Sequence, residues 1–207
     1  MPVHFKVCGI TNVGDADLAI GAGARAIGLN LIPVSSRVVD VETARHIVAH
    51  VADRALTVLV VADLTIDRMN ELLRLTGAAC LQLHGDESVD ALQGVLPHAY
   101  KAVRVGSRAD VARAMALPGE YLLTDARVEG QLGGTGQTFD WSLVEPLARL
   151  RKLTLAGGLH AGNVGRAIAQ VKPFCVDVAS GVEISGNPRR KDPQKIMAFS
   201  RAVDAST

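Results

Sequence analysis

Eight short apolar runs, each followed by a segment of helical periodicity, recur along this chain at a mean spacing of about 25 residues. The runs lie at 3–8, 26–31, 56–61, 80–83, 99–105, 121–124, 153–156 and 175–178. Strict alternation of this kind leaves few folds open. Parallel strands need crossover helices, and eight βα units in series fit a closed (β/α)₈ barrel of the TIM type, a single-domain α/β fold over 1–207. An open doubly wound sheet is the alternative. No Ser/Gly linker or charge block interrupts the series.

The intervening segments carry helix signals of their own. Asn12 is placed to cap the first, with Asp15 three residues on. Val41, Ala44, Ile47, Val48 and Val51 form an apolar stripe in the second. Further helices are expected at 64–73, 90–96, 107–117, 142–150, 162–171 and 194–203. The chain is 48% hydrophobic but only 3% aromatic, so the core must be aliphatic, as buried parallel sheets are.

A formal charge of +1 leaves no electrostatic footprint for nucleic acid or an anionic membrane. The first residues show no signal-peptide core, and no apolar run reaches the roughly 18 residues of a membrane span. Cys8, Cys80 and Cys175 are odd in number and widely spaced, which argues against a disulfide framework or zinc knuckle and for a reducing cytoplasm.

In a barrel, chemistry sits at the carboxyl ends of the strands. The unusual residues gather there: Cys8 after strand 1, 33–37 after strand 2, His84-Gly85-Asp86 after strand 4, and Asp125 after strand 6. Gly157-Gly158 follow strand 7, and Ser180-Gly181-Val182-Glu183 follow strand 8. Small residues after two successive late strands allow backbone N–H groups close to phosphate oxygens. An aspartate closing an apolar strand can exchange a proton if the site raises its pKa. The glycine-rich stretch 133–136 is a candidate lid, and it lacks the Gly-Lys-Ser/Thr ending of a nucleotide P-loop.

Together, Lys6-Val7-Cys8-Gly9-Ile10-Thr11, Leu81-Gln82-Leu83-His84-Gly85-Asp86-Glu87, Gly133-Gly134-Thr135-Gly136-Gln137-Thr138-Phe139-Asp140-Trp141, Leu155-Ala156-Gly157-Gly158-Leu159 and Val176-Asp177-Val178-Ala179-Ser180-Gly181-Val182-Glu183 resemble phosphoribosylanthranilate isomerase. The resemblance covers essentially the whole chain. It implies the tryptophan-pathway reaction of aromatic amino-acid biosynthesis, the Amadori rearrangement of N-(5′-phosphoribosyl)anthranilate to its 1-deoxyribulose isomer. On the matching positions it implies Cys8 as general base at C2′ and Asp125 as general acid at the ring oxygen. It further implies Arg37 on the anthranilate carboxylate, Gln82 and His84 in the substrate pocket, and Gly157, Gly158, Ser180 and Gly181 as the phosphate cradle. No metal or organic cofactor is called for, because the substrate's own nitrogen is the electron sink. The only partner implied is the small phosphorylated substrate, on a cytoplasmic monomer or homodimer.

Such a pair needs a thiol below its usual value of about 8.5 and a carboxyl above about 3.9. After strand 2 the family commonly reads Gly-Phe-x-Phe-Tyr-Pro-Lys-Ser-Pro-Arg, where this chain has Gly28-Leu29-Asn30-Leu31-Ile32-Pro33-Val34-Ser35-Ser36-Arg37. After strand 3 a Phe-Val-Asn pattern is replaced by Val61-Ala62-Asp63. Two rivals stay open: the related histidine-pathway aldose–ketose isomerase, and a catalytically weakened sugar-phosphate-binding barrel.

Other candidates read as structural. His46 and His50 share a helix face without a third ligand. Cys80 and Cys175, at strand starts, read as packing residues. Asp177 reads as a structural partner for a backbone or Arg group, and Arg189-Arg190-Lys191 as a solvated edge before the last helix.

Overall fold

The first five helices each begin on a side chain that accepts the N–H three residues ahead. Asn12 takes Asp15, Asp40 takes Thr43, Thr65 takes Arg68, Ser88 takes Ala91 and Ser107 takes Asp110. Each such cap is worth about 1 kcal/mol, so the points where loop becomes helix are set locally. In the computed structural model, which describes residues 2–126 and 139–206, these helices alternate with strands through the whole chain. The order begins β1 (His4–Cys8), α1 (Val13–Gly21), β2 (Ala26–Asn30), α2 (Val41–Val51), β3 (Leu56–Val61), α3 (Ile66–Thr76), β4 (Cys80–Leu83) and α4 (Val89–Gln93). It continues β5 (Ala99–Val105), α5 (Arg108–Met115), β6 (Tyr121–Ala126), a 3-10 turn (Trp141–Val144), α6 (Glu145–Leu150), β7 (Lys152–Leu155) and α7 (Val164–Val171). The last elements are β8 (Cys175–Val178), a 3-10 turn (Ser180–Val182), β9 (Glu183–Ile184), β10 (Asn187–Lys191) and α8 (Pro193–Asp204).

Strands β1 to β8 pair in parallel in chain order, and β1 pairs with β8 as well as β2, which closes the barrel. The open-sheet alternative is thereby excluded. Two layers follow from the strand's period of two. Phe5, Val7, Ile27, Leu29, Leu59, Leu81, Leu83, Leu122, Leu153, Leu155 and Val176 join the helices in one largely aliphatic core outside the barrel. The alternating set faces inward. Inside, the apolar packing is small, with Ala102, Leu123 and Ala156 against Tyr100. Val58 and Val60 share that interior with polar side chains, Lys6, Gln82 and Asp177 among them.

Three sequence expectations change. β6 runs two residues past its apolar run, with Arg104↔Asp125 and Val105↔Ala126 in register, so Asp125 stands in the strand rather than after it. The sixth helix opens as the 3-10 turn Trp141–Val144, and Pro146 then occupies the first turn of α6, where no N–H is needed. Of the expected solvated edge 189–191, Arg189 and Arg190 are exposed, in β10 paired antiparallel with β9, but the Lys191 side chain is fully buried. The candidate lid 133–136 lies outside the described residues. Among those described, no helix is long and apolar enough to cross a membrane.

Candidate active site

The carboxyl ends of the strands and their loops enclose a cavity of about 610 Å³. Cys8, Arg37, Gln82, His84, Asp125, Gly157, Gly158 and Ser180 line it. Gly181 is not among the lining residues. A Cβ there would run into the Leu159 carbonyl oxygen, so its part is close packing of the 3-10 turn behind Ser180.

On β1, Lys6 and Cys8 share the inward face. Register places Lys6 opposite Asp177 of β8 and Cys8 opposite Gly28 of β2. Lys6 Nζ lies 3.0 Å from Asp177 Oδ2 and donates to Gln82 Oε1 at 2.9 Å. Burial disfavours the Lys6 ammonium, yet Asp177 and Cys8 outweigh it and hold Lys6 well above its ordinary value. Gly28 leaves the space both need, since a Cβ there would lie 2.7 Å from Cys8 Sγ and 3.2 Å from Lys6 Cε. Asp177 thus serves an ammonium rather than the backbone or arginine expected from sequence.

Burial pushes the Cys8 thiol above its ordinary value, and Asp177 adds to the rise. Lys6, Lys191 and Arg37 oppose it without cancelling it. The expected lowering is therefore not found: half-burial at the barrel mouth outweighs three cations. The expected rise at Asp125 is found. Burial lifts its carboxyl to about 6 and the Asp177 charge adds to this, against the Ala126 N–H, Lys6 and Arg104. Asp125 Oδ1 accepts that N–H at 2.8 Å.

At the end of β4 and one residue past it, Gln82 and His84 are buried on the wall between the β1 and β6 groups. Their loop is held from outside the barrel by Lys101, which donates to Leu83 O, Gly85 O and Ala102 O and pairs with Glu87 at 3.0 Å.

At the rim, Arg37 reaches Glu183 with two donors, Nε at 2.6 Å and Nη2 at 3.0 Å. Lys191 Nζ approaches the same carboxylate at 3.0 Å. Arg37 and Lys191 together hold Glu183 below the ordinary carboxylate range despite its burial. This planar fork fixes the guanidinium in place and leaves its remaining donors for a ligand. The β9–β10 hairpin that supplies both partners is itself tied down: Thr11 Oγ1 donates to Arg189 O, and Arg189 donates to Val38 O.

Opposite, Gly157 and Gly158 adopt φ of +92° and +61°, a left-handed path that favours glycine. A Cβ on Gly157 would also lie 2.7 Å from Ala126 N. Asn163 braces the turn by donating to Gly158 O at 2.9 Å and accepting from His160 N at 2.8 Å.

The other sequence candidates stay apart from the cavity. His50 pairs with Asp17 at 3.0 Å on the outer surface. Burial lifts Cys80 to about 11 and Cys175 to about 12, as inert packing thiols require. Sequence reasoning gave no site role to Lys6, Tyr100, Glu183 or Gly28, and read Lys191 as part of a solvated edge. One signal was available: Lys6 and Asp177 are charges embedded in apolar strands, and Lys6 is two residues from Cys8, hence on its face.

Comparison with known proteins bears on this arrangement directly. A family model described as N-(5'phosphoribosyl)anthranilate (PRA) isomerase matches residues 5–202. The N-(5'-phosphoribosyl)anthranilate isomerase of Stutzerimonas stutzeri (strain A1501) is 44% identical over 206 residues, spanning 98% of each chain. The crystal structure of phosphoribosyl anthranilate isomerase from Thermotoga maritima superposes with a TM-score of 0.88 at 33% identity, covering 98% of this chain and 99% of that one. Another solved phosphoribosyl anthranilate isomerase, in complex with reduced 1-(o-carboxyphenylamino)-1-deoxyribulose 5-phosphate, superposes with a TM-score of 0.86 at 32% identity, covering 98% and 99%. By sequence, by fold and by full-length coverage, the chain belongs to the N-(5'-phosphoribosyl)anthranilate isomerase family.

Proposed function

We propose that Asp125 and Cys8 are the acid and base of this family's reaction, the isomerisation of N-(5′-phosphoribosyl)anthranilate to 1-(2-carboxyphenylamino)-1-deoxyribulose 5-phosphate in tryptophan biosynthesis. The observation that carries the reading is convergence. A carboxyl raised to about 6 and a thiol on another strand line one cavity, with an anchored arginine and a glycine cradle on its rim.

The chemistry asks for these groups in sequence. Asp125 gives its proton to the ring oxygen as the C1′–O bond breaks, and the anthranilate nitrogen's lone pair forms the iminium. Cys8, as thiolate, removes the C2′ proton, and the C–H electrons flow toward that nitrogen to give the enolamine. Tautomerisation to the ketone adds a proton at C1′ and releases one from the C2′ hydroxyl, so the net proton count on the protein is unchanged. A carboxyl near 6 is a far better donor at neutral pH than one at about 3.9. Arg37 meets the substrate carboxylate with the donors that Glu183 leaves over. Gly157, Gly158 and Ser180 receive the phosphate, with Gly181 setting the spacing behind them. Gln82 and His84 form the wall beside the acid. The enzyme works in the cytoplasm on this one small phosphorylated substrate, as a monomer or homodimer.

The test follows anthranilate fluorescence with purified protein, wild type against Cys8→Ala and Asp125→Ala. Turnover by the wild type and its loss in each variant is the expected result. Turnover surviving both substitutions would remove the assigned roles. Substrate binding without turnover in the wild type would favour a weakened sugar-phosphate-binding barrel.

A further inference from the structure

Gln82 and His84 alternate along the inward face of β4 and its extension, and their hydrogen-bond polarity follows from chemistry alone. Lys6 Nζ lies 2.9 Å from one end of the Gln82 amide. An ammonium has only donors, so the amide atom facing it must be the oxygen. The Tyr100 hydroxyl donates to that same oxygen at 3.0 Å. The amide nitrogen is then the end turned to His84 Nδ1, 2.9 Å away, and an amide nitrogen only donates. Nδ1 must therefore offer its lone pair, and a neutral ring so held carries its single proton on Nε2. Nε2 stands 3.8 Å from Asp125 Oδ2.

The ring is neutral at working pH. Burial, with Lys101, Lys6 and Arg104 nearby and Glu87 opposing, brings His84 down to about 4. The anchor of the chain is also fixed, because Lys6 is pinned by Asp177 at 3.0 Å.

We propose that Gln82 and His84 are positioning residues for the acid: the Lys6–Gln82–His84 chain locks His84 as the Nε2–H tautomer, and that N–H receives the Asp125 carboxylate as its proton leaves for the substrate. The inference rests on Asp125 being the acid. Its physical content is preorganisation. A buried carboxylic acid that gives up its proton leaves a charge with no solvent to receive it, and a donor already aimed at that place stabilises the charge as it develops. The separation of 3.8 Å exceeds a hydrogen bond, and catalytic hydrogen bonds are often long at rest and shorten in the transition state. The reversed tautomer would aim a lone pair at the same oxygen.

The experiment uses the full chain labelled with ¹⁵N-histidine, with His84→Gln to assign the resonance. At neutral pH the His84 long-range ¹H–¹⁵N pattern should show Nε2 protonated and Nδ1 bare. In Gln82→Glu the carboxylate accepts from both Lys6 and the ring, so the proton moves to Nδ1. Turnover should then fall about tenfold or more in kcat, with KM within about threefold of wild type. An Nδ1–H pattern in the wild type overturns the proposal without recourse to any variant. A reversed tautomer in Gln82→Glu with wild-type kcat overturns it as well. Asp125→Ala, measured alongside, separates the two questions: if it keeps its turnover the acid assignment fails, whatever the spectrum shows.

Discussion

Turnover by the proposed pair needs Asp125 protonated and Cys8 ionised at the same moment, and the structure sets both equilibria against that state. With Asp125 at about 6, roughly one molecule in ten carries the acid's proton at pH 7. Even an ordinary thiol of about 8.5 would be only about 3% ionised there, and burial holds Cys8 above its ordinary value. The competent form is thus at most about 0.3% of the enzyme, which costs at least about 3.5 kcal/mol of barrier. That form has as many protons as the dominant one, in which Asp125 is ionised and Cys8 neutral. Its share is therefore constant between the two titrations. kcat/KM should climb tenfold per pH unit below about 6, level off, and fall only beyond the raised thiol. Arg104→Gln is the matched perturbation, because Arg104 is one of the cations holding Asp125 down and its only ion pair among the described residues is with the exposed Asp86. It should carry the acid limb to higher pH. Anthranilate fluorescence across buffers from about pH 5 to 9 reads both enzymes. A profile flat across pH 6, or a limb that Arg104→Gln leaves in place, would refute the assignment of the acid.

Three further outcomes follow from the same geometry. The folded Asp125 carboxyl sits above its unfolded value, so its contribution is lost as pH rises from about 4 through about 6. At 1.36 kcal/mol per unit this makes Asp125→Asn more stable than wild type by about 2–3 kcal/mol at pH 7, an advantage that urea melts should show vanishing near pH 4. Lys6→Met strands a buried aspartate and should cost about 3–5 kcal/mol in the same melts; adding Asp177→Leu should recover part of that, and a further loss in the double variant would count against the ion pair. Glu183→Gln leaves Arg37 without its charged fork, so KM should rise about tenfold while kcat changes less; a pure kcat effect would show that Arg37 does not hold the substrate through this pair.

Much of this molecule is local in origin. The βα alternation, the caps at Asn12, Asp40, Thr65, Ser88 and Ser107, and the gathering of Cys8, Asp125 and the late glycines at strand ends are patterns of neighbours along the chain, and neighbours are what periodicity reads. The end of β6 escaped because Asp125 and Ala126 are held by pairing with β5, not by their own apolarity. What the tertiary structure alone decided is which charges meet. Barrel closure sets Lys6 beside Asp177 over a sequence separation that no local pattern spans, and the β9–β10 hairpin brings Glu183 and Lys191 to Arg37. The same closure decided the thiol. Sequence chemistry asks for a lowered Cys8, whereas its energy depends on how much water the folded mouth excludes and how far each cation stands from the sulfur. Those are distances through space, and only the assembled barrel has them.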